Sequence, residues 1–428
     1  MMPTGLSTEQ APPLSIPASF FCTAPVGIVA AGVWLLVADA PPLVARFVPA
    51  TAVLTHLLTL GFIGAVMLGA LYQMIPVVAG VPVPLARAAH AVHAGLVVGL
   101  GALVYGLSTG RGGSFAVAGG LLGATVVAFL LPVSVALVRA PTRSDTVRGM
   151  RLAVSGLALL VLFGIAQALT RWSPIAVGHP HAWLGAHAAL GLVGWIGALV
   201  TAVSWQVLPM FYLTEELPTW SRRVTLAAVA LTLVAPVTAV ALGASLEVTA
   251  LCGAPGALAV WVLHPVMAID ALRRRKRRRA DASIRFWLVG LGVAPLLPVA
   301  GILAFALPQP QWTVLFGWLA LWGWAGTIVH GMLGRIVPFL VWFHRFSPLV
   351  GEARVPSLRE LLPERRLHAA LALHVVALAL GCAAIGTGWR PLTAATGVAV
   401  VLTGLNLGAN LLHVLRQKPT GLARSTRL

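Results

Sequence analysis

The chain is 428 residues long, 59% hydrophobic and only 9% charged, with a mean hydropathy of +0.93; it lacks the polar residues needed to coat a soluble globule of this size, and a polytopic membrane protein is expected. A net charge of +18 would point to nucleic acid in a soluble protein, but in a membrane protein basic residues are sorted by topology first. Three cysteines, Cys22, Cys252 and Cys382, stand far apart in apolar surroundings and form neither a CxxC pair nor a disulfide framework.

Residues 1–17 have neither a basic start nor an apolar core, so they are expected to be a short disordered tail and not a signal peptide. Runs of about 20 apolar residues, the length that crosses a bilayer, then recur near 19–38, 51–79, 86–107, 115–138, 148–170, 181–211, 221–243, 247–271, 285–306, 312–343, 367–388 and 392–415. The expected fold class is an all-α membrane protein of about twelve transmembrane helices, with 18–416 a single transmembrane domain and 417–428 a basic tail. With the N-terminus placed in the cytoplasm, only Arg46, Arg111, Arg171 and Arg390 of the 29 Lys and Arg fall outside, which leaves 25 inside. That asymmetry is a strong positive-inside signal. It places both termini in the cytoplasm, with a bacterial-type inner (plasma) membrane as the expected location and the lipid bilayer, not nucleic acid, as the partner. The run RRRKRRR at 273–279 serves as a topology anchor that anionic headgroups also attract.

Three stretches share Gly-x2-Gly-x11-Pro: Gly61, Gly64 and Pro76; Gly194, Gly197 and Pro209; Gly323, Gly326 and Pro338. They recur 133 and 129 residues apart, each in the second helix of a block of four. The chain therefore divides into three pseudo-repeats near 18–140, 147–272 and 284–416. The six glycines are expected to permit close helix packing.

This layout, with the stretch HLLTLGFIGAVMLGALYQMIPVVAGVP from His56, resembles subunit I of the haem–copper oxidases and nitric oxide reductases. The resemblance implies that His56, entering from the outer face, is an axial ligand of a haem, and that His187 sits at a position similar to the family's copper-binding histidine. It also marks departures. The expected tenth-helix ligands are replaced by Phe316 and Trp318, the seventh helix has no histidine, and Gly191 stands where a tyrosine would follow His187. An oxygen-reducing proton pump is therefore not expected. The implied function is that of a haem-binding membrane protein with a redox or nitric oxide-related role, whose partners would be a redox protein or a diatomic gas. The competing expectation is a cofactor-free carrier, transporter or assembly factor on the same scaffold, so an enzymatic activity is left open.

Side-chain chemistry adds to this. All eleven acids fall in loops or at helix ends, so no carboxylate proton path is visible. Among twelve histidines, His179 and His181 in GHPHAWLGAH flank a proline and share one face of an extended segment. They could hold copper or zinc with His187, with exposed interfacial imidazoles as the alternative. His56 within a lipid-buried bundle needs a partner of some kind. His90, His93, His264, His344, His368, His374 and His413 are assigned to cytoplasmic helix ends and structural roles. His330 stands as an isolated mid-helix histidine, and Arg335 is expected to snorkel. The aromatics Tyr72, Trp195, Trp205, Trp322 and Trp324 could flank a porphyrin or simply pack. No Walker, Rossmann or hydrolase motif occurs.

Overall fold

A chain in lipid must satisfy its backbone hydrogen bonds internally, so bilayer-length apolar runs become helices. The computed structural model describes residues 12–172, 179–276 and 282–419, and among them there is no β-strand. Twelve helices among the described residues are long and apolar enough to cross a membrane. They are α1 (Ser15–Val37), α2 (Pro49–Ala79), α3 (Ala86–Thr109), α4 (Gly112–Arg139), α5 (Asp145–Trp172), α6 (Pro180–Tyr212), α7 (Thr219–Ala241), α8 (Leu246–Arg273), α9 (Ala282–Ala306), α10 (Gln311–Leu349), α11 (Glu364–Thr387) and α12 (Arg390–Leu415). Residues 15–17, expected in the tail, form the first turn of α1. Most of that tail, the end of the basic run from 277 on and residues 420–428 lie outside the described residues.

Three helices make the centre. Between 67% and 72% of α2, α6 and α10 is buried within the protein, against 22–50% of the other nine. Those nine close a ring around them in the order α1, α3, α4, α5, α7, α8, α9, α11, α12 and back to α1. The outward faces of the ring carry large apolar side chains such as Val26, Leu131, Leu162, Leu251 and Ile302. In water that surface would aggregate; in lipid it is the solvated one.

The repeats have a backbone signature. Each central helix opens into an eight-residue π-helical segment, Leu57–Gly64, Leu190–Gly197 and Leu319–Gly326, at the 133- and 129-residue spacing of the glycine motif. A π turn admits one extra residue and brings the carbonyl of residue i−5 onto the helix wall. A Cβ at Gly64 would lie 2.5 Å from the Thr59 oxygen, one at Gly197 2.9 Å from Leu192 O, and one at Gly326 2.5 Å from Leu321 O. For Gly64 this carbonyl is the nearest neighbour and no other helix comes as close, so the packing account expected for all six glycines is replaced there by a backbone one.

The first glycine of each motif does serve packing. A Cβ at Gly27 of α1 would run into the backbone of Gly61, and one at Gly156 of α5 into that of Gly194. The exits repeat as well: α2 ends on Gly80 with φ +69°, and Leu213, 133 positions later at the end of α6, adopts φ +55°.

Candidate functional site

The even-numbered helices begin at one face, called here the entry face. Two histidines lie within the central helices near it. His56 occupies the second turn of α2, where its Nδ1 lies 2.7 Å from the carbonyl oxygen of Ala52. A carbonyl can only accept, so Nδ1 carries the proton and Nε2 is left with its lone pair. His187 occupies the second turn of α6. It fits because α5 has glycine opposite it: a Cβ at Gly164 would stand 3.2 Å from the His187 Cε1. The His187 Nδ1 is buried without a hydrogen-bond partner, while the ring makes a backbone contact with Leu160. The two imidazoles lie within electrostatic range of one another. Thus α2 and α6 bring together two histidines 131 residues apart in sequence, each with one nitrogen tied to backbone or to nothing.

His179 and His181 are placed differently. Both are exposed at the start of α6, where the His179 carbonyl accepts from Ala182 and Trp183 in the first turn. The ring of His181 packs against Phe47 of the α1–α2 connection at 4.6 Å, and the Arg46 guanidinium sits 4.4 Å from the same phenyl centroid. Partial burial there lowers Arg46 from its ordinary range. Among the described residues no three His, Cys, Asp or Glu side chains gather as a metal site, so His179, His181 and His187 are not assembled as one set in this structure.

A second pair, which sequence reasoning kept apart, lies deeper. His330 of α10 and His374 of α11 are 2% and 0% exposed, with their Nδ1 atoms 3.2 Å apart. His330 is therefore not isolated. His374 does not belong to a helix end either, since ten residues of α11 at 1.5 Å each put it about 15 Å from Glu364. The signal was available in that count, and in the spacing of Thr327 and His330, which face one side of α10.

Other histidines also have hydroxyl partners: His93 with Thr23 at 2.6 Å, and His264 with Ser204 at 2.8 Å. Arg335, expected to snorkel, reaches instead to the Phe211 carbonyl at 3.4 Å and lies over the Phe211 ring. Of the aromatics, Tyr72 packs edge-on to Phe129 and Trp324 edge-on to Trp261. Trp195 and Trp205 are buried in the core, and Trp322 stacks on His374.

No family model matches the chain, and no curated protein matches it.

Proposed function

We propose that the chain is a haem-binding integral membrane protein with a redox or nitric oxide-related role, held at the entry face by His56 and His187. The observation that carries this reading is two imidazoles on central helices within electrostatic range of one another, one with its tautomer fixed by Ala52 and the other with an orphaned buried Nδ1. A buried imidazole nitrogen without a donor is costly unless something occupies it, and a metal centre is the ligand class that needs a bare imidazole nitrogen on each of two sides. The residues fit such a group through their nitrogens. Ala52 orients one ring, and the gap at Gly164 leaves space for the other. Haem, when bound, would supply an iron that changes oxidation state and takes up diatomic gases. The choice of haem over copper or zinc rests on the likeness of the His56 helix to that of the haem–copper oxidase subunits. Within this reading the membrane is a bacterial-type inner membrane, with the entry face external.

The test is an absorption spectrum of the purified chain, oxidised and reduced. A haem spectrum lost in His56→Ala and altered in His187→Ala, with folding retained, is expected. If both imidazoles are axial, carbon monoxide leaves the reduced spectrum unchanged. Wild-type protein without haem would favour the cofactor-free carrier instead, and His56→Ala with an unchanged haem spectrum would remove His56 as the ligand.

A further inference from the structure

We propose that His330 and His374 form a proton-binding site in the core of the bundle, taking up one proton that two imidazoles share. The site lies on α10 and α11 and does not depend on the haem reading.

The partners fix the tautomers. The Nε2 of His374 lies 3.0 Å from the Trp322 carbonyl and 3.0 Å from the Thr327 hydroxyl. The carbonyl only accepts, and the single proton of Thr327 points to Gly323 O at 2.7 Å, so the His374 Nε2 carries hydrogen and donates. Its Nδ1 is then the acceptor for the His330 Nδ1–H across 3.2 Å. The His330 Nε2 is left as a lone pair, buried and without a hydrogen-bond partner. This is the point at which a proton can be added.

The surroundings suit the protonated form. Both oxygens around the His374 Nε2 are acceptors. Trp322 lies parallel to the His374 ring at 4.4 Å with Trp318 stacked behind it, and Phe286 lies 5.0 Å from His330. Aromatic faces favour a cation that has lost its water. The Trp322 carbonyl belongs to the π segment Leu319–Gly326 and, with the Thr327 proton on Gly323 O, is left to accept from the His374 Nε2. Burial alone opposes an isolated charge; sharing the proton along Nδ1–H···Nδ1 spreads it over two rings.

The charged groups on the packed elements stand away from the pair. Arg285 of α9 is exposed. Arg335 of α10 turns to Phe211. Glu364, Arg365, Arg366 and His368 of α11 precede His374 by six residues or more, and at the end of α12 stand His413 and Arg416. A small cleft of about 20 Å³ lined by Ser283, Gly334, Arg335, Arg359, Glu364 and Leu367 reaches Gly334, one turn beyond His330 on the same side of α10. Uptake transfers a proton from an aqueous acid to His330 Nε2, forming one N–H bond, and the Nδ1 proton can then move to His374.

The experiment is ¹⁵N-histidine NMR of the full chain in detergent over a pH series, with assignment by His330→Gln and His374→Gln. Near neutral pH, His374 should be protonated at Nε2 alone and His330 at Nδ1 alone. Acidification should move both rings together at one midpoint, and each glutamine variant should abolish the joint transition. Should those variants not fold, Thr327→Val keeps both imidazoles, removes one acceptor and should shift the shared midpoint. Two rings titrating separately, or neither changing while the protein stays folded, overturns the proposal. So does stoichiometric binding of Cu⁺ or Zn²⁺ alone at these two rings, which would make the pair a metal site.

Discussion

Gly27 and Gly101 sit in neighbouring ring helices and differ in what surrounds them. A side chain at Gly27 meets the backbone of Gly61, whereas one at Gly101 meets nothing within 4 Å. Backbone cannot move aside as a flexible side chain does, so Gly27→Ala should lower stability by about 1–3 kcal/mol. Gly101→Ala should be neutral, or stabilising by up to about 1 kcal/mol through helix propensity. Thermal unfolding of the two variants in one detergent checks the difference. Leu213 holds a left-handed backbone that costs a residue with a Cβ about 1–2 kcal/mol, and its side chain is half exposed. Leu213→Gly should therefore unfold no earlier than wild type in the same assay, while Gly80→Ala, at the matching exit of α2, should unfold earlier by about 1 kcal/mol.

At the scale of the element, the π segments are the feature to test. Gly64 is the cleanest probe, because an added methyl there meets the Thr59 carbonyl of its own helix. Gly64→Ala should cost about 1–3 kcal/mol in chemical unfolding, and equal stability would mean that the segment relaxes to an ordinary α-helix at no cost. Helix positions were legible in the sequence because bilayer thickness and the absence of charge set them directly: α8, expected near 247–271, spans Leu246–Arg273. The π geometry was not legible. Gly-x2-Gly reads equally well as a packing motif, and only the backbone shows that its second glycine faces a carbonyl of its own helix. The end of α10, expected near 343, was also missed, since Trp342–Phe346 continues as π-helix and Ser347–Leu349 as 3₁₀.

For the whole molecule, the distribution of basic residues predicts orientation without reference to any site. A reporter fused after Arg279 should be cytoplasmic and one inserted at the α3–α4 connection, residues 110–111, external; finding both on one side would contradict twelve crossings. The candidate sites were only partly legible at this scale. His56 and His187 stood out because each is a polar residue in an apolar run. That α2 and α6 bring them within electrostatic range of one another depends on the arrangement of three helices around a common centre. His374 was misplaced for a similar reason: its partner comes from another helix, 44 residues away, and nothing local announces it.

The contact between α1 and α12 has a consequence of its own. Gly32 and Gly397 press backbone to backbone there, and Gly404 lies against the Pro25 carbonyl, so the first and last spans are as closely wedded as any consecutive pair. The circle thus has no privileged starting point. A gene that joins the two ends through a flexible tether and opens instead at Ala140–Ser144, between the first and second quartets, should encode a circularly permuted protein with every neighbour preserved. During synthesis of the natural order, by contrast, ten further spans are made between α1 and α12, so the Gly32 face of α1 waits through all of them for the backbone it packs against.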